Sequence, residues 1–238
     1  MSTPRRWSLL VPVIGVLAAV ALLPAAASPF VPVALRGPVS YLVVWAPLVM
    51  AVVLSVRLAT RRRPEPWWAA LGLRAGLEAA LVGVFSGLAL RVIGVLSELI
   101  VAGRIGTESP MPMPGSSASS SIVAVVLASA VIAPAVEETF FRGTLMPAVG
   151  ERLGPGRRGD WLAIVIVALV FAAVHALAGT TPLATGITFL AGVGFGAVAR
   201  PHGVGSAIIA HVVFNASGIA VVASAGGLSP LYPTLALG

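Results

Sequence analysis

The sequence predicts an all-α fold, a polytopic transmembrane helix bundle of about seven spans, or eight with a re-entrant or interfacial helix. Three observations predict it. Of 238 residues, 58% are hydrophobic and 10% charged, with a mean hydropathy of +1.02, whereas soluble domains are about 45–50% apolar and about 25% charged. Apolar runs of roughly 20 residues, the length that crosses a bilayer, recur along the chain. Basic residues collect between alternate runs and leave the intervening connections nearly bare.

In order, the runs are Trp7 to Ala27, Val39 to Ala59, Leu77 to Val101, Ser121 to Val149, Trp161 to Ala178, Leu183 to Ala199 and Ser206 to Ala225. The first also has the form of a signal peptide: a basic start, an apolar core and "AAA" before Ser28. "RRRPEPWW" (Arg61 to Trp68) joins a basic turn to an aromatic pair, the chemistry of a headgroup anchor. The Pro- and Ser-rich "TESPMPMPGSSASSS" (Thr107 to Ser121) reads as a mobile external loop. Gly192 and Gly196 in "GVGFGAVA" have small-xxx-small spacing, which lets a neighbouring helix approach closely. The organisation is residues 1–120 as N-terminal spans and external loop, 121–225 as a membrane core, and 226–238 as a short tail. No long internal repeat is apparent, which weakens an inverted-repeat transporter.

The net charge of +7 comes from fifteen arginines and no lysine. Positions 5, 6, 57, 61, 62, 63, 74, 152, 157, 158 and 200 fall on one side if the spans alternate, and Arg36 and Arg104 on the other, with Arg91 and Arg142 inside spans. That bias places the N-terminus inside and the C-terminus outside, and it explains the basicity without a nucleic-acid partner. Compactness and arginine-only basicity suggest a bacterial cytoplasmic membrane. The chain has no cysteine, so disulfides, thiolate metal sites and cysteine nucleophiles are excluded.

"APAVEETFFRGTLMP" (Ala133 to Pro147) sets Glu137, Glu138 and Arg142 inside an apolar run. Intramembrane charges cost about 2.5–3.5 kcal/mol each on insertion scales and usually face a bundle interior or wet cavity. On a helix Glu138 and Arg142 are i, i+4 neighbours and can pair, whereas Glu137 lies about 100° round the turn and needs a partner elsewhere. His202 and the single aspartate, Asp160, sit at the basic edge. His175 shares a helical face with Phe171 in "FAAVH", and His211 with Asn215 in "HVVFN". At about 1.5 Å per residue from the basic ends, Glu137 lies about 18 Å deep, His175 about 21 Å, and His211 about 9–15 Å, which permits one shared cavity. Pro134 and Pro147 are expected to kink the helix of Glu137.

A carboxylate and two imidazoles in a low-dielectric pocket can deprotonate a water, and an amide beside them can donate to a developing oxyanion, as amide hydrolysis requires. A di-aspartyl mechanism is excluded by the lone Asp160. Ser206 and His211 are i, i+5 and point apart, against a serine dyad. Proton relays and inter-helix ties use the same residue types, so a transporter or a non-catalytic bundle is the alternative reading.

"EETFFR", "FAAVH" and "HVVFN" fit, in family order, the EExxxR, FxxxH and HxxxN patterns of the CAAX protease and bacteriocin-processing family of intramembrane endopeptidases, which the chain resembles over roughly Ser121 to Ala225. The resemblance implies an endopeptidase acting on a membrane-associated protein or peptide. It implies that Glu137 activates the water and His175 helps hold it, that His211 and Asn215 support the oxyanion, and that Glu138 and Arg142 brace the site. The family carries a metalloprotease label, and Glu138, His175 and His211 could in principle hold zinc with an open position. No HExxH settles this, and a metal-free glutamate mechanism is slightly preferred.

Overall fold

The computed structural model describes residues 6–26, 28–62, 64–74, 76–106 and 126–224. The fold is all-helical, as expected, and no strand occurs among the described residues. The helices are α1 (Leu10–Ala26), α2 (Val33–Arg62), the single turn α3 (Trp67–Ala70), α4 (Leu77–Ala102), α5 (128–153), α6 (Arg157–Leu177), α7 (Pro182–His202) and α8 (Val204–Ser224). Among the described residues five stretches are long and apolar enough to cross a membrane, within α2, α4, α6, α7 and α8. The other two expected spans are α1, at 17 residues, and α5, which is internally broken. The segments read as a mobile loop and as a tail lie outside the described residues, as does Ala27.

The break in α5 has a local cause. Two π segments, Ala128–Ile132 and Phe141–Leu145, alternate with the α segments Ala133–Phe140 and Met146–Leu153. Each π segment ends two residues before a proline, Pro134 or Pro147. A proline ring clashes with the carbonyl four residues back and offers no N–H, so the turn before it widens. The expected kinks therefore take the form of π turns.

Lipid tails are as apolar as the side chains, so helices in a bilayer associate through close packing and polar ties. Both are present. A Cβ on Gly83 or Gly87 of α4 would come within 2.7 Å of the Ser206 carbonyl oxygen or 2.4 Å of that of Ala210, so α4 and α8 touch backbone to backbone. The expected approach at Gly192 and Gly196 is met by α6: added Cβ atoms would lie 3.2 Å from Ala168 Cβ and 2.9 Å from Ile164 Cγ2. Thr181 caps α7, its hydroxyl accepting from the Ala184 N–H at 3.1 Å, with Pro182 at the first helical position.

The arginine-rich connections share one end of the bundle. There Arg6 pairs with Glu65, Arg200 lies 2.5 Å from Asp160, the Trp7 N–H donates to Glu151 at 2.9 Å, and His202 lies 3.3 Å from Glu78. Gly203, at φ +90°, turns α7 directly into α8, and the Val204 N–H closes the corner on the Gly72 carbonyl at 2.8 Å. At the same end Trp67 and Trp68 are exposed with their rings 5.7 Å apart, as a headgroup anchor requires.

Candidate active site

α5 supplies the charges and α8 comes to meet them. The i, i+4 pair expected within α5 forms, with Arg142 Nη1 donating to Glu138 Oε1 at 2.9 Å. Both side chains are buried, at 1% and 0% exposure, so this is an ion pair without solvent screening. Arg142 Nη2 donates to the Gly192 carbonyl of α7 at 2.8 Å, which the close approach at that glycine makes reachable. Its guanidinium carbon stands 4.8 Å from the Phe171 ring centroid and 5.6 Å from that of Phe195.

His211 Nδ1 lies 2.9 Å from the same Glu138 oxygen. A carboxylate only accepts, so Nδ1 carries the proton and Nε2 faces away from Glu138. Nε2 looks toward Glu137 Oε2 at 4.0 Å. The carboxylates thus differ in kind: Glu138 is enclosed and doubly bonded, while Glu137 is 15% exposed and makes no direct hydrogen bond to His211.

His175 is fixed within α6, its Nδ1 lying 2.8 Å from the Phe171 carbonyl, an acceptor. It too turns Nε2 outward. The Phe171 ring separates the two imidazoles, with centroids 4.4 Å from His175 and 5.9 Å from His211. Asn215 ties α8 to the first π segment of α5, Nδ2 donating to the Ser129 carbonyl at 3.0 Å. In π register that carbonyl faces the nitrogen of Pro134, which has no N–H to give. One of the two Asn215 N–H groups is therefore committed to a backbone tie.

The residues of the three motifs thus lie on α5 (Glu137, Glu138, Arg142), α6 (His175) and α8 (His211, Asn215), with Glu137, Glu138, Arg142 and His211 in a single cluster. His202 and Asp160 belong to the arginine-rich end, and Ser206 donates to the His202 carbonyl at 3.2 Å, turned from His211. No group of three His, Cys, Asp or Glu among the described residues is disposed to hold a metal ion, so Glu138, His175 and His211 do not form a ready site.

Sequence reasoning passed over Phe195, whose ring stacks on His211 at 4.5 Å and 21°. No sequence signal marked it, because an apolar ring in an apolar run is unremarkable. A cavity of about 590 Å³ opens between the helix ends at the arginine-rich side, lined by Arg6, Arg74, Glu151 and Arg200 among others. Of its α5 residues, Arg142 lies furthest from the helix end, so the cavity extends inward as far as that residue.

A helical bundle with five membrane-length apolar stretches and a buried cluster of Glu, Arg and His defines an integral membrane protein with the makings of a hydrolytic centre. Residues 119–217, which contain all three motifs, match the family model described as type II CAAX prenyl endopeptidase Rce1-like, and this part of the chain is similar to that family. The match supports an intramembrane CAAX-type protease in general, with a membrane-associated protein as substrate, and gives no support to the metalloprotease label. No curated protein and no solved structure matches the chain.

Proposed function

We propose that the protein is an intramembrane endopeptidase that hydrolyses a peptide bond of a membrane-associated protein or peptide with water activated by Glu137. The observation that carries this reading is the asymmetry of the two carboxylates. Glu138 is fully enclosed, its Oε1 held by Arg142 and His211, whereas Glu137 is partly exposed and makes no direct hydrogen bond to His211, so Glu137 is the one placed to take a proton from a water. A water between Glu137 Oε2 and His211 Nε2, 4.0 Å apart, could touch both.

The water oxygen attacks the carbonyl carbon as its proton passes to Glu137, and Glu137 later delivers that proton to the leaving amine. His175, with Nε2 outward, helps hold the water. The second Asn215 N–H and a protonated His211 Nε2 donate to the oxyanion. With His211 protonated, its charge and that of Arg142 balance the two glutamates, which is the condition for keeping four charges in a low-dielectric site. Glu138 and Arg142 act by holding His211. By the positive-inside rule the arginine-rich end, with its cavity, faces the cytoplasm. No step passes through a metal.

The test is single-turnover cleavage of a prenylated C-terminal peptide in ¹⁸O-labelled water. The reading expects the label in the new carboxyl group on the first turnover. Label confined to Glu137 would make it a nucleophile, and no cleavage by reconstituted protein would favour the non-catalytic alternative.

A further inference from the structure

Arg91 lies on α4, outside the matched residues and outside the three motifs. A guanidinium at such a position needs a reason, since an arginine at bilayer depth is costly. It is buried, and both Nε and Nη2 donate to one acceptor, the Phe214 carbonyl of α8, at 3.1 and 2.8 Å. Its guanidinium carbon also stands 3.9 Å from the Phe214 ring centroid. Gly218 makes this contact feasible, because a Cβ there would lie 2.3 Å from Arg91 Nη2.

Phe214 sits between His211 and Asn215 in the same stretch of helix. Its ring meets Phe195 at 5.9 Å, and Phe195 stacks on His211. The Gly83 and Gly87 contacts bring α4 and α8 together but, being smooth, do not fix how far one slides or rolls on the other. A two-pronged donor on one carbonyl does both. We propose that Arg91 is a positioning residue for the hydrolytic site, setting the depth and rotation of α8 so that His211 reaches Glu138 and Asn215 reaches the substrate. Its effect on turnover rests on the hydrolase reading above; its effect on His211 does not.

The experiment compares wild type, Arg91→Gln, Gly218→Ala and the double variant, full-length and in bilayers. The His211 ring ¹⁵N resonances are assigned by their loss in His211→Gln. Arg91→Gln and Gly218→Ala are both expected to shift them while leaving His202, at the arginine-rich end, unmoved. Where the wild type cleaves, each single variant lowers kcat by about 10-fold to 100-fold with KM nearly unchanged. The double variant is no worse than the poorer single, because both break one contact. Unmoved His211 resonances in the folded variants, or additive losses of activity, would overturn the proposal. If Arg91→Gln does not fold, Gly218→Ala, which keeps the charge, decides alone. A wild type without activity but with the predicted resonance shifts would remove the hydrolase reading and leave the positioning role standing.

Discussion

His211 and Glu138 meet at 2.9 Å across 73 residues of chain, joining the helix of the third motif to the helix of the first. The same carboxylate oxygen accepts from Arg142, so one buried atom ties α5 to itself and to α8.

Removing charge from that oxygen should cost the fold. Glu138→Gln leaves Arg142 buried without a counter-ion, a change worth about 3–5 kcal/mol in buried pairs. Thermal unfolding in detergent should fall clearly, with activity lost alongside. A variant as stable as wild type would mean that the ion pair does not brace the site.

Gly192→Ala tests the same brace from the other side. Its methyl would lie 3.2 Å from Ala168 Cβ and 3.4 Å from Arg142 Nη2, so α7 must move off α6 or release the guanidinium. A loss of about 1–3 kcal/mol is expected. Gly186→Ala on the same helix, where an added Cβ meets nothing within 4 Å, is the control and should be near neutral.

Asn215→Ala separates a tie from a catalytic donor. Loss of the bond to the Ser129 carbonyl alone costs about 0.6–2 kcal/mol of stability in a membrane bundle. Loss of an oxyanion donor costs about 10²–10³-fold in kcat. The expected result is both together. A stability loss with kcat nearly intact would confine Asn215 to the structural tie.

These tests also mark what could be read from residues alone. The Glu138–Arg142 pair was legible because i, i+4 spacing fixes it on any helix, and the approach at Gly192 and Gly196 for the same reason. The meeting of His211 with Glu138 was only permitted by depth, since nothing in the spacing sets how three helices rotate about their axes. Pro134 and Pro147 announced distortion, but its form as π turns depends on which backbone N–H groups remain to be paired. The partners of Asn215, His175 and Arg91 are backbone carbonyls, and a carbonyl has no signature in a sequence. Phe195 was silent for the simpler reason that stacking needs only a ring.

The metal question has its own measurement. Purified protein is expected to carry well below one zinc per chain, and chelator should leave activity unchanged. One equivalent of zinc in wild type, lost in His175→Ala, would require a rearranged site and a metal-bound water.

The central claim is that Glu137, alone of the two carboxylates, is the base. The most direct measurement is cleavage by Glu137→Gln beside its thermal unfolding, because the amide keeps the shape and removes the proton acceptor. The account predicts wild-type stability with turnover reduced by about 10²–10⁴-fold or more. A Glu137→Gln protein that cleaves like wild type, or one that fails to fold, would contradict it.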